Sequence, residues 1–160
     1  MAQDITLKLT NIEGESKKKG FENEIDIYDF KFGVSQSASC AEGGGGGSAK
    51  SDCKDLVVTK LIDKASPILF LHSALGTPIA KAVLTVRKAG GTSLDYLVVT
   101  LSDVIVTNVA TGGKSEDERV REEISLNYAH ISIQYKAQNA DGSAGAAIQK
   151  SYNLEANCEG

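Results

Sequence analysis

The sequence predicts a mainly β fold: a compact β-barrel of about seven or more strands with one flanking α-helix. Apolar and polar residues alternate at period two along most of the chain. Several of these runs exceed the usual strand length of about five or six residues, which favours a barrel or a sharply folded sandwich. One segment carries the residues that begin and end a helix. A length of 160 residues suits one domain, so we expect residues 1–160 to form a single barrel.

The strands are predicted from the alternation of side chains. Ile5, Leu7 and Leu9 share one face of a first strand. The apolar residues change parity near Tyr28 within 24–37 and after Tyr128 within 121–137. The second change indicates a bulge, and the first indicates a bulge or a strand buried on both faces. The remaining strands are predicted at 56–59, 81–89, 94–109 and 148–156, the middle two forming a hairpin.

The helix is predicted at Ser66–Leu75. Ser66 is a suitable N-cap, Pro67 suits the first helical position, and Gly76 is a typical stop. Apolar residues then occupy more than one face of the predicted helix.

Charge and the N-terminal sequence exclude several classes of protein. The chain has 17 Lys and Arg against 21 Asp and Glu, a net charge of −4. Nucleic-acid binders normally carry a basic surplus, so we expect no nucleic acid partner. The first residues show no basic segment followed by an apolar core, and no apolar run is long enough for a bilayer. We therefore expect folding in the cytoplasm and no membrane insertion.

One stretch resembles a phosphate-binding loop. Residues 44–51 differ from the pattern GxxxxGK[ST] by Ala49, which stands where glycine is required. A phosphate loop also needs a helix N-terminus directly after it. Residues 52–59 indicate a strand instead, so we expect a flexible assembly loop and no nucleotide site.

The remaining candidates for chemistry are equally weak. His72 and His130 have no cysteine, histidine or carboxylate at ligand spacing, so we expect packed or surface histidines and no metal. Cys40, Cys53 and Cys158 are an odd number outside any metal spacing, which favours free thiols in a reducing compartment. The mixed charges of 115–123 indicate a solvated loop rather than a carboxylate site. We expect no catalytic residue, no cofactor and no enzyme activity.

Several segments together are more specific than any of these motifs. They are EIDIYDFKFGVSQS at 24–37, the glycine run, DLVVTKLIDKASP at 55–67, LTVRKAGG at 84–91, YLVVTL at 96–101, VATGG at 109–113, and 137–157 with its closing NLEAN. Taken in order over nearly the whole chain, they resemble the Hcp family, the tube protein of bacterial type VI secretion.

The resemblance implies a function in self-assembly. Members of the family form hexameric rings, which stack into a hollow tube inside a contractile sheath, tipped by a spike protein. Some members carry small effectors in the lumen, and the tube protein is secreted to the outside of the producing cell although it has no signal peptide. A different interpretation is a soluble ring that acts mainly as an effector-binding chaperone. An enzyme is the third alternative.

Three features are then candidates for function. Relatives commonly have a small residue between two aromatics where this chain has Lys31 between Phe30 and Phe32. By alternation, Phe30, Phe32 and Val34 should share the buried face and leave Lys31 on the other, so Lys31 is a candidate for the lumen. The glycine run would be costly to order within one chain, which predicts a self-assembly loop that a neighbouring subunit orders. Cys40 and Cys53 bracket this loop, so that a disulfide between them would close it, and two free thiols are the alternative. The run consists of Gly43, Gly44, Gly45, Gly46 and Gly47.

Overall fold

The computed structural model describes residues 3–37, 51–89 and 93–160, and over these it contains eleven strands and one helix. In chain order they are β1 (Gln3–Leu9), β2 (Ile25–Ile27), β3 (Asp29–Lys31), β4 (Val34–Gln36), β5 (Ser51–Cys53), β6 (Leu56–Leu61), α1 (Ser66–Leu75), β7 (Ile79–Lys88), β8 (Leu94–Gly112), β9 (Arg121–Gln138), β10 (Ala144–Asn153) and β11 (Cys158–Glu159). The prediction of a mainly β fold with a single helix at Ser66–Leu75 is confirmed.

Nine of the strands form one curled antiparallel sheet. Its main path runs β2–β1–β7–β8–β9–β10–β11, and β6 pairs with the first half of β9 and carries β3 on its other side. The curl encloses an aliphatic core, in which Leu7, Ile25, Val58, Leu84 and Leu126 are at most 1% exposed. The sheet is not closed by hydrogen-bonded ladders, because β2 and β6 lie in contact without pairing.

The two predicted changes of parity are corners of the chain. At Tyr28 the strand breaks between β2, which pairs with β1, and β3, which pairs with β6. In β8 and β9 the buried side switches between Leu101 and Val104 and between Tyr128 and Ile131. The ladder keeps its register across this point, so the predicted bulge in β9 is wrong.

The corner in the β8–β9 hairpin depends on one backbone conformation. Asp103 has φ 53°, in the left-handed region, and lies between the two buried sets of β8. The only register shift of this pair among the described residues is further along β8, between Val106 and Asn108. The bend divides the hairpin into two halves that pair with different strands.

The N-cap of the helix lies one residue earlier than predicted. Ala65 is the N-cap and makes no side-chain cap bond, whereas Ser66 is already helical and Pro67 follows it. The predicted cap role of Ser66 is wrong, because its hydroxyl is engaged in a buried cluster. Gly76 ends the helix as predicted, with φ 68° and its N–H donating to His72 O.

That buried cluster connects the helix to the sheet. Lys60 on β6 is 0% exposed, and its Nζ lies 2.7 Å from Glu122 Oε2 and 3.0 Å from Asp63 Oδ1. Ser66 Oγ accepts a hydrogen bond from Lys60 Nζ at 2.9 Å and donates one to Glu122 Oε2 at 2.6 Å. Thr111 Oγ1 donates to the other carboxylate oxygen at 3.1 Å.

The Glu122 carboxyl group is ionised at neutral pH. Burial raises the pKa of the Glu122 carboxyl, but the hydrogen bonds from Lys60 and Ser66 outweigh it and hold the pKa below its ordinary value of 4.5. A lowered pKa means that the contribution of this carboxylate to stability is complete above pH 4.5. The contribution is lost as the pH falls through the folded-state value.

We expect Glu122→Gln to lower the free energy of unfolding by about 3 kcal/mol, because it leaves the buried Lys60 without its closest counter-charge. Glu123→Gln is the matched control, since Glu123 is the next residue on the same strand and is exposed. Its effect should stay within about 0.5 kcal/mol. Urea unfolding measures both, and the gap between Glu122→Gln and the parent should narrow below pH 4.5. Equal losses of unfolding free energy for the two variants would contradict the role of Glu122 as the counter-charge of Lys60.

Candidate assembly surface

One part of the sheet has a polar outer face. Its four strands lie in the order β3, β6, the first half of β9, and the second half of β8. The ladder places Lys31 opposite Val57, and Thr59 opposite both Asp29 and Glu123. Directly opposed residues share a face of a sheet. Lys31, Asp29 and Glu123 are all exposed, so this face, called the outer wall below, is open to solvent.

The other face of the same four strands is buried. One row of side chains on this face crosses the strands through Phe30, Val58 and Ile124. The next row on the same face contains Lys60 opposite Glu122. Val58 and Ile124 are 0% exposed, and Phe30 packs against the core. The four strands therefore separate the core from the outer wall.

Both sides of this four-stranded unit end in an unpaired edge among the described residues. β7 pairs with β8 only as far as Val104, so that 105–112 of β8 pair with β9 alone. At the other end, β3 pairs with β6 alone. Unpaired edges present free N–H and C=O groups in a row and are templates for pairing with another chain.

An apolar pocket lies next to the four-stranded unit, where the chain leaves β3 and enters the β4–β5 hairpin. Its cavity volume is about 290 Å³, and its lining is almost entirely apolar. A hydrogen bond of 3.0 Å between the Ser51 and Tyr152 hydroxyls joins the β4–β5 hairpin to β10 at its wall. Burial raises the pKa of Tyr128 to about 12, and its hydroxyl donates to Lys54 O at 2.8 Å. The lining residues are Phe32, Gly33, Val34, Ser51, Cys53, Tyr128, Ile131, Ile133 and Tyr152.

Helix α1 lies at the other end of the unit, packed against β8. Its sequence, SPILFLHSAL, contains no Asp, Glu, Lys or Arg. Leu69 is buried, but Phe70, Leu71 and Leu75 are 64%, 54% and 69% exposed. We call these three residues the α1 apolar face. Adjacent exposed apolar residues of this size mark contact surfaces in many proteins.

The predicted lumen residue lies on the outer wall. Lys31 is exposed there, while Phe30 and Phe32 turn the other way, pack against the core and stack with ring centroids 6.4 Å apart. Val34 was predicted to be buried with these two aromatics but is 67% exposed, because β4 extends beyond the core as part of the β4–β5 hairpin.

The predicted loop and its disulfide fall mostly outside the described residues. Cys40 and Gly43, Gly44, Gly45, Gly46 and Gly47 are not described. Cys53 is described, on β5 at the pocket wall, and burial together with the neighbouring Asp52 raises the pKa of its thiol. Ser51 begins β5, so a strand follows the stretch that resembles a phosphate loop, as predicted.

The other candidates for chemistry are dispersed. Over 3–37, 51–89 and 93–160, no group of three His, Cys, Asp or Glu residues is arranged to hold a metal ion. His130 Nδ1 lies 3.6 Å from Asp103 Oδ2, while His72 is on α1. Glu122 was assigned to a solvated loop, and this is wrong, because it lies on β9 and is buried against Lys60. None of the described helices has the length and apolarity required to cross a bilayer.

Sequence analysis missed the buried Lys60, the pocket and the α1 apolar face. Lysine is among the residues least often buried, so the alternation around Lys60 carried no signal of its role. The lining of the pocket comes from four separate parts of the chain. The absence of charge in 66–75 was the available signal for the α1 apolar face.

Comparison with known proteins agrees with this geometry. A family model described as "Type VI secretion system effector, Hcp" matches residues 6–135. The protein hcp1 of Pseudomonas aeruginosa is 40% identical over 161 residues, covering 99% of each chain. The crystal structure of Hcp1 from Salmonella typhimurium has a TM-score of 0.82 at 32% identity, again over 99% of both chains. A type VI secretion effector from Yersinia pestis has a TM-score of 0.77 at 31% identity, over 94% of this chain and 99% of the other.

The open edges, the polar outer wall and the uncovered apolar helix define a class of protein, a structural subunit that assembles with copies of itself. The chain belongs to the Hcp family of type VI secretion proteins. It is a subunit of the type VI secretion tube, and the family is secreted by that system.

Proposed function

We propose that this chain closes into a ring of six copies, in which the outer wall of each subunit faces a central lumen. The observation that carries this proposal is the four-stranded unit with an unpaired edge at each side. Edge 105–112 of one subunit pairs with β3 of the next, and the sheet continues around the ring. Addition of a strand to an exposed edge supplies main-chain hydrogen bonds without requiring a particular side chain.

The two edges favour a closed ring over a symmetric dimer. They belong to different strands and have different surroundings, α1 beside β8 and the apolar pocket next to β3. A contact between two different surfaces is head-to-tail, and it repeats until the rotation closes. Family membership supports six as the number of copies, and the same membership supports stacking of the rings into a tube.

The proposed partners follow from this role. They are other copies of the chain, the spike protein and contractile sheath of the same secretion system, and small effectors in the lumen. We propose that the chain has no catalytic role and binds no cofactor and no metal. The second candidate is a soluble ring that serves mainly as an effector-binding chaperone. It has the same ring, but its rings do not stack into a tube.

The ring is tested by mass. Light scattering or native mass spectrometry at micromolar concentration should give a particle of about six times the chain mass of 16.9 kDa. Closure predicts particles of six subunits, and stacking predicts particles at multiples of six. A monomer, or a continuous series of sizes, would contradict the proposal, and rings that never stack under electron microscopy would favour the chaperone.

We propose that Lys31 biases the lumen towards acidic cargo. In the ring its ammonium group recurs six times on the wall, and it forms no ion pair within the described residues. The wall carries both signs, since Arg121 lies on the same face as Asp29 and Glu123. Lys31 therefore changes the local potential near β3 more than the overall charge of the wall.

Lys31→Glu should weaken binding of a fluorescent poly-glutamate peptide to the assembled ring by up to about fivefold, since an exposed charge contributes up to about 1 kcal/mol. Lys81→Glu is the matched control, because Lys81 is exposed on β7, outside the four-stranded unit. Fluorescence anisotropy measures both at low salt. If both variants weaken binding equally, Lys31 does not face the lumen.

We also propose that Gly43, Gly44, Gly45, Gly46 and Gly47 form a self-assembly loop that a neighbouring copy orders. Ordering costs roughly 1–2 kcal/mol for each residue backbone, and glycine loses the most freedom. A disulfide between Cys40 and Cys53 in the secreted protein would lower that cost. Deleting these five glycines should weaken ring formation or stacking and leave the melting curve of the dissociated subunit unchanged. Assembly equal to the parent's would make the loop a simple tether.

A further inference from the structure

We propose that the α1 apolar face of one subunit inserts into the apolar pocket of the adjacent subunit. This inference rests on the proposed ring and adds the contact that fixes its subunits side by side. The α1 apolar face consists of Phe70, Leu71 and Leu75, and the pocket lies directly after β3, beside the β4–β5 hairpin. The occupant of the pocket is therefore a second copy of this chain.

The position of the two surfaces in the fold supports the match. The four-stranded unit runs from β3 to β8, with the pocket at the β3 end and α1 packed against β8 at the other end. Both lie on the side of the sheet opposite Lys31. Phe32 lines the pocket on that side, and Leu69 anchors α1 in the core there. When edge 105–112 meets the neighbour's β3, the α1 apolar face reaches the region next to that strand.

Their chemistry also matches. The pocket is almost entirely apolar, and α1 contains no Asp, Glu, Lys or Arg. A volume of about 290 Å³ is at the lower limit for a site that encloses a drug-sized ligand. It is suited to one or two inserted side chains, as in the pockets that receive aromatic anchors at protein interfaces.

The contact accounts for exposure that is otherwise unfavourable. Phe70 and Leu75 are 64% and 69% exposed in the subunit alone. Burying such side chains contributes roughly 25 cal/mol for each Å² of apolar surface. Two different apolar surfaces that fit each other, one convex and one concave, produce a head-to-tail contact rather than a symmetric pair.

Cross-linking through Cys53 tests the contact directly, since this cysteine lines the pocket. In a Cys40→Ser, Cys158→Ser background, Phe70→Cys, Leu71→Cys and Leu75→Cys are made one at a time and treated with a short bismaleimide. At least one of them should give a ladder of covalent oligomers reaching six subunits on a denaturing gel. Replacing Cys53 by serine should abolish the ladder.

Two controls separate this inference from the ring itself. Lys17→Cys is exposed between β1 and β2, belongs to neither surface, and should give no ladder. Light scattering of each variant reports whether rings are present. Rings without a ladder from any of the three positions overturn the inserted helix and leave the ring intact, while the absence of rings in the parent overturns the ring as well.

A second variant gives a functional readout. Phe70→Ser should raise the concentration at which rings dissociate by about tenfold or more, as for a central aromatic anchor. The fold of the subunit should be unaffected, because the side chain is already mostly exposed. An unchanged dissociation concentration for Phe70→Ser and Leu75→Ser alike would overturn the inference.

Discussion

The architecture of the subunit depends on the buried ion pair between Lys60 and Glu122. A buried lysine without a counter-charge is strongly destabilising, so the two residues must stay on the core face of β6 and β9. A register slip of one residue would send them to opposite faces. Because Ser66 hydrogen-bonds to both, the same pair fixes where α1 leaves the sheet. One interaction thus sets the strand register and the position of the helix.

The two ends of the four-stranded unit differ because of this placement. With α1 held beside β8, one end carries an exposed apolar helix and an unpaired edge. The other end carries β3 and the pocket next to it. A subunit with two unlike, complementary ends assembles head-to-tail, whereas a subunit with one self-complementary patch would form dimers. The polar outer wall remains free to line the lumen.

The sequence predicted what depends on local periodicity. The strands around Leu7 and Val58 and the bounds of α1 follow from alternation, Pro67 and Gly76. The role of Ser66 was not predictable, because its partner Glu122 lies 56 residues away and capping rules consider only residues close in sequence. The corner after Tyr128 was mistaken for a bulge in β9, since a corner and a bulge both change the parity of buried residues. Lys31 was placed correctly on the face opposite Phe30 and Phe32, and its position in a lumen remains a prediction.

In the proposed ring, 105–112 of one subunit pairs with β3 of the next. Amide hydrogen exchange, compared between assembled rings and subunits dissociated by dilution, measures this most directly. Amides of 105–112 and Asp29–Lys31 should gain protection together in the ring, while the β1–β7 ladder exchanges equally in both states. Rings in which both edges exchange as fast as in the free subunit would contradict the account.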